Sequence, residues 1–165
     1  MTDPAPLDST AVRIERTFSA PAQAVFEAWT SAEALRRWYP PGSDWDTLVA
    51  EVDLVVGGRL RIVMRSPDGE EFGGGGEFRE IVPPTRLVFT WAWDRPDVAE
   101  GTQLVEVDFT EHPDGTTTVV LTNRGLDRAA RESHREGWEG SFDNLERMLG
   151  APVRLGVKVI GAARW

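Results

Sequence analysis

At 165 residues, with 41% hydrophobic and 27% charged side chains, the chain has the make-up of one globular domain large enough to build a core unaided. The absence of cysteine excludes disulfides, thiolate metal sites and a cysteine nucleophile, and fits a reducing, cytoplasmic setting. A net charge of −9 argues against nucleic acid, whose phosphates need a basic surface to displace their counterions.

Residues 1–10 hold Pro4, Pro6 and Asp8 without periodicity and read as a leader. The start lacks a basic n-region and an apolar core, and no apolar run approaches about 18 residues, so neither secretion nor a membrane span is expected. Val12, Ile14, Arg16 and Phe18 alternate with Arg13, Glu15 and Thr17 as in a half-buried strand. Pro21 stands where a helix begins, and Ala22, Val25, Phe26 and Trp29 follow at helical spacing. Ser31 can cap a second short helix, SAEALRRW, which Pro40 and Pro41 end.

From Thr47 the period becomes two. Residues 47–54 form a strand, Gly57-Gly58 a turn, and Arg59–Arg65 the next strand, with Leu60, Ile62 and Met64 on one face. Asp68-Gly69 tips a hairpin into Glu71–Val82, and Pro83-Pro84 ends that strand. Leu87, Phe89, Trp91 and Trp93 give the following strand an aromatic face. Val105, Val107 and Phe109 mark another, the turn HPDG follows, and Thr117–Asn123 is the last.

Leu126–Leu149 differs in kind. Trp138, Phe142, Leu145 and Leu149 recur at i, i+4, i+7 and i+11, on one helical face. With Asp127 as N-cap and Gly150 and Pro152 as stop signals, this helix runs about 22 residues, roughly 33 Å. The order of elements makes an α+β fold, with one long helix laid across a curved antiparallel sheet. The seven tryptophans then either fill the core or line a cavity between the layers. Gly137 and Gly140 each cost about 1 kcal/mol of helix propensity, explained by a close approach of the helix backbone or by simple toleration.

Chemistry-bearing residues are few. His112 falls in a turn. His134, one turn before Trp138, reads as a helix histidine near the cavity or as a general base. Gly73–Gly76 leads into a strand instead of a helix, so a bulge or bend fits it better than a phosphate loop. Arg59, Arg61, Glu77 and Asp94 read as outer-face charges or as polar anchors at a cavity mouth. Ser133 and Ser141 have no histidine–acid pairing of a triad, and neither metal-ligand spacing nor a cofactor motif occurs. In Ala151–Trp165, Val153, Leu155, Val157 and Val159 alternate, as an added edge strand or a disordered extension.

LRRWYPPG (35–42), DLVVGGRLR (53–61), GGEFREIVPPTRLVFTW (75–91), VEVDFTEHPDGTTTVVLT (105–122) and SHREGWEGSFDNLERML (133–149) occur in one order. That ordered set resembles the family named for the activator of the 90-kDa heat-shock protein ATPase, in the START/polyketide-cyclase (SRPBCC) superfamily. The resemblance spans about residues 11–149. It implies a helix-grip fold: a curved antiparallel sheet wrapped around the long C-terminal helix, an apolar cavity between them, and two short helices after the first strand. The expected organisation is a leader (1–10), one helix-grip domain (11–150) and a C-terminal extension (151–165).

Stand-alone members resemble binding modules for small hydrophobic or aromatic molecules, and this is the first functional expectation. Trp38, Met64, Phe78, Trp91, Trp93, Phe109, His134, Trp138 and Phe142 are its expected walls, because aromatic inner faces of strands meet an aromatic helix. The alternatives are a co-chaperone-type partner of a 90-kDa chaperone, acting through the outer sheet face, and a cyclase or dehydratase-like enzyme using His134 as base. No cofactor, metal or catalytic residue is assigned.

Overall fold

The computed structural model describes residues 9–150. Seven strands form one antiparallel sheet: β1 (Val12–Phe18), β2 (Asp46–Val52), β3 (Arg59–Arg65), β4 (Glu71–Val82), β5 (Arg86–Trp93), β6 (Gln103–Glu111) and β7 (Thr117–Arg124). Their order across the sheet is β1-β7-β6-β5-β4-β3-β2. A meander from β2 to β7 therefore closes against β1, and α1 (Ala22–Thr30) and α2 (Ala32–Trp38) span from one edge of the sheet to the other. The long helix α3 (Arg128–Gly150) packs against β1, α1 and α2. This is the helix-grip arrangement. No helix of the described residues is long and apolar enough to cross a membrane.

The local rules hold in detail. Ser31 Oγ accepts the Ala34 amide at 3.2 Å and caps α2, and Asp127 Oδ1 accepts the Ala130 amide at 2.7 Å at the head of α3. Gly69, at the tip of the β3–β4 hairpin, has a φ of 92°, a conformation that costs other residues a steric penalty. In β3, Leu60, Ile62 and Met64 are buried as their alternation requires.

Gly73–Gly76 corrects an expectation. Pairing with β3 runs unbroken through these glycines, and the bulge in β4 falls at Phe78/Glu80 instead. The glycines make room. A Cβ on Gly74 would lie 2.6 Å from Trp91 Cζ2, and one on Gly73 would lie 2.6 Å from Asp94 Oδ2. The indole of Trp91 thus lies against bare backbone on the inner side of the sheet.

Two devices clamp α3. Arg16 shares the inner face of β1 with Val12, Ile14 and Phe18 and reaches α3, bonding Asp143 Oδ1 at 2.7 Å and Glu139 Oε1 at 2.8 Å. Its guanidinium lies 5.8 Å from the Phe142 ring centroid. At the other contact, the segment Tyr39–Gly42 passes directly under the helix. Ser141 Oγ donates to Tyr39 O at 2.7 Å, and Asn144 Nδ2 donates to Pro40 O at 2.8 Å. A Cβ on Gly140 would stand 2.0 Å from Pro41 O, so this crossing admits only glycine.

Ser9 and Thr10, at the end of the expected leader, are held by this frame: Ser9 O accepts from Arg131 and Thr10 O accepts the Leu126 amide. Residues 1–8 and the alternating tail 151–165 lie outside the described residues.

Candidate functional site

Between the sheet and the middle of α3 lies a pocket of about 280 Å³. β5 supplies Trp91 and Trp93, and α3 supplies His134, Gly137 and Trp138. The segment after α2 supplies Tyr39, Pro41 and Trp45, while Met64 of β3 and Phe72 of β4 complete the apolar wall with Val98. Its rings hold one another in place. Tyr39 stands 5.6 Å from both Trp91 and Trp138, Trp91 is 5.2 Å from Trp93, and Trp45 is 5.5 Å from Phe72. Such tilted and edge-on pairs add to the burial of each ring.

Of the nine walls expected from sequence, Met64, Trp91, Trp93, His134 and Trp138 meet here. Trp38, Phe78, Phe109 and Phe142 do not line the pocket; they are fully packed in the core. Helix α1 explains three of them, because its aromatic side chains fill that end of the sheet–helix space. Trp29 lies 4.6 Å from Trp38, 6.3 Å from Phe109 and 6.1 Å from Phe142. Trp38 also spends its indole N–H on Ala28 O at 2.8 Å. Phe78 packs on Phe89, 6.3 Å away. One helical turn therefore separates a ring that lines the space, Trp138, from a ring that fills it, Phe142.

His134 is buried, and both ring nitrogens are engaged. Trp93 Nε1 donates to His134 Nε2 at 3.0 Å, and His134 Nδ1 lies 2.8 Å from Ala130 O. An indole N–H can only donate, so Nε2 carries the lone pair and Nδ1 carries the proton. Burial holds the imidazole pKa below its ordinary value, opposed in part by the bond to Ala130 O and by the charge of Asp127. The side chain is a neutral wall whose basic nitrogen is already bonded. Tyr39 is likewise neutral, since burial pushes its phenol pKa up.

Sequence reasoning missed the polar corner of the pocket. Gln103 begins β6 and Asn123 lies near the end of β7, both buried at inner-face positions. Trp138 Nε1 donates to Asn123 Oδ1 at 2.9 Å, and Asn123 Nδ2 donates to Gln103 Oε1 at 3.0 Å. The alternation through Val105, Val107 and Phe109, extended one step back, reaches Gln103. A polar residue on the apolar face of a strand was the available signal. No Asp, Glu, Lys or Arg stands among the described residues lining the pocket.

The expected mouth anchors are elsewhere. Arg61 and Asp94 form a two-pronged ion pair, at 2.9 and 2.7 Å, over Gly73, and neither lines the pocket. Arg59 and Glu77 are exposed and pair as β3–β4 neighbours. Ser133 bonds Ala130 O, and Ser141 bonds Tyr39 O and Gly137 O, so both hydroxyls serve the helix and its neighbour. His112 Nε2 lies 2.6 Å from Thr118 Oγ1, away from the pocket.

A family model described as "Activator of Hsp90 ATPase homolog 1-like protein" matches residues 19–150. Among solved structures, a protein from Chromobacterium violaceum superposes with a TM-score of 0.78 at 25% identity, covering 85% of this chain and 96% of its own. An AHSA1-like protein from Aeromonas hydrophila is 33% identical with a TM-score of 0.72, covering 86% and 92%. An uncharacterised protein from Rhizobium leguminosarum is 31% identical with a TM-score of 0.73, covering 85% and 93%. No curated protein matches the chain in sequence.

Proposed function

The chain belongs to the activator of Hsp90 ATPase homolog 1-like family, and from that premise we propose that it is a binding module for a small, neutral, hydrophobic or aromatic molecule. The observation that carries this reading is the wall itself: indole, phenol and phenyl rings surround about 280 Å³ with no charged side chain among the described lining residues. An apolar cavity of about 150 Å³ accepts one benzene ring. The pocket therefore suits a ligand of one or two rings, toward the small end of the usual range of ligand sites. An anion or cation entering it would lose its hydration with no opposite charge in return.

Native mass spectrometry and tryptophan fluorescence titration test this reading with one- and two-ring neutral aromatics and short-chain lipids. Saturable one-to-one binding is expected, with quenching or shift of the emission, because Trp45, Trp91, Trp93 and Trp138 all face the space. Absence of saturable binding across these probes would overturn it.

A second reading, a chaperone-contacting protein, is favoured by the family description and by the β2–β3 turn. There Leu54, Val55 and Val56 are 39%, 54% and 67% exposed in succession. Pull-down with a 90-kDa heat-shock protein, followed by its ATPase rate, tests it. Loss of both effects on changing Val55 and Val56 to Ser is the expected result if that contact exists.

A further inference from the structure

The polar corner says more about the ligand than the aromatic wall does. Trp138 Nε1–H can only donate, so the Asn123 atom that receives it is Oδ1. That leaves Asn123 Nδ2 to donate, so the Gln103 atom it meets is Oε1. The orientation of both amides is fixed by one indole, and the chain of donors ends on Gln103 Nε2. This amide nitrogen has no hydrogen-bond partner among the described residues, and its side chain belongs to a residue only 1% exposed. Trp29 Nε1 is also buried without a partner, but Trp29 does not line the pocket, whereas Gln103 does. An N–H closed off from solvent without an acceptor loses its hydration with nothing in return, so such a group calls for a partner.

We propose that the ligand is a neutral, mainly apolar molecule with one oxygen acceptor of the carbonyl class, which receives a hydrogen bond from Gln103 Nε2. This rests on the ligand-binding reading above and sharpens it. A ligand group that can only donate finds Gln103 presenting its own donors. A pure hydrocarbon leaves the amide unpaired. A carboxylate accepts the bond but brings an unpaired charge into a wall without a cation. A ketone, aldehyde, ester or amide oxygen meets the requirement without these costs. Polarisation along Trp138, Asn123 and Gln103 strengthens the terminal donor.

Three probes of nine heavy atoms separate the alternatives: acetophenone, its hydrocarbon isostere α-methylstyrene, and benzoate. Each is titrated by NMR into the wild type and into Gln103→Met, which keeps the length of the side chain and removes its donors. Acetophenone binding is expected to weaken about 3- to 10-fold in Gln103→Met, with α-methylstyrene unchanged or tighter and benzoate weakest in the wild type. In the wild type, the Gln103 side-chain amide protons are expected to move downfield with acetophenone and not with α-methylstyrene. This readout does not depend on the variant folding.

If acetophenone and α-methylstyrene change affinity equally in Gln103→Met, or the Gln103 amide resonances stay still while other pocket resonances shift, the inference is overturned and the binding reading stands. If none of the probes binds the wild type, both fall.

Discussion

Single residues decide whether α3 seats correctly and whether the pocket stays open. Gly140 and Gly137 are chemically identical, one turn apart, and opposite in role. Gly140→Ala places a methyl group 2.0 Å from Pro41 O, and backbone must move to admit it. The gain of about 1 kcal/mol in helix propensity is outweighed by overpacking, for a net loss of about 1–2 kcal/mol in urea denaturation. Gly137→Ala meets only Pro41 Cβ at 4.0 Å, so it is expected to stabilise by up to about 1 kcal/mol. Gly137 is there to leave space.

His134 gives a pH signature of known sign. Its folded pKa lies below the ordinary value of 6.5, chiefly through burial. The unfolded chain therefore takes up a proton before the folded one does. Its contribution is complete above about pH 6.5 and is lost as the pH falls through the folded value. Between pH 7.5 and 5, wild-type stability is expected to fall more steeply than that of His134→Gln, measured by denaturation at each pH. Equal slopes would contradict the assignment of a buried neutral imidazole.

At the scale of elements, the clamp between β1 and α3 is electrostatic on one side. Arg16 faces Glu139, Asp143 and Glu146, three carboxylates within two turns of one helix. The carboxylates are 49–61% exposed, so each pair is worth little alone. Removing the shared cation leaves like charges at neighbouring helical positions. Arg16→Met is expected to cost about 1 kcal/mol at low salt, and the gap from wild type is expected to narrow in 1 M NaCl. A salt-independent gap would show that Arg16 acts by packing on Phe142 instead.

The elements were also what the sequence disclosed best. Period-two runs and turn residues placed the strands, and Ser31, Asp127 and Pro40-Pro41 placed helix ends, because these signals are local. Arg16 already sat in the apolar register of β1, although nothing local explained it; its partners are more than 120 residues away. The glycine run carries no bulge, and its reason is equally non-local. Added Cβ atoms would meet neighbouring strands: Asp94 at Gly73, the Trp91 ring at Gly74, Leu60 O at Gly75 and Thr90 O at Gly76. At the site, aromatic identity alone did not distinguish a lining ring from a filling one. Trp38, Phe78, Phe109 and Phe142 went to the core because Phe26 and Trp29 of α1 and Phe89 of β5 occupy the space around them.

The whole molecule combines an acidic exterior with an interior space of opposite character. Among the described residues no Asp, Glu, Lys or Arg is buried, while the pocket presents rings, amides and a neutral imidazole. The sheet curves far enough to meet α3, α1 fills one end of the resulting volume, and the segment Tyr39–Gly42 holds the helix over the other. That division makes a pocket without leaving the core short of contacts. It also allows pocket and fold to be separated by one substitution. Gly137→Leu adds a side chain into the space while improving helix propensity by about 0.8–1 kcal/mol.

The most direct test is an NMR titration of ¹⁵N-labelled wild type and Gly137→Leu with 2-naphthol, a neutral two-ring probe. Saturable shifts are expected in the wild type, centred on the side-chain N–H groups of Trp93, Trp138 and Gln103, with their loss in a Gly137→Leu protein of equal or greater stability. Undiminished binding by Gly137→Leu, or shifts centred on Leu54–Val56 instead of the pocket, would contradict this expectation.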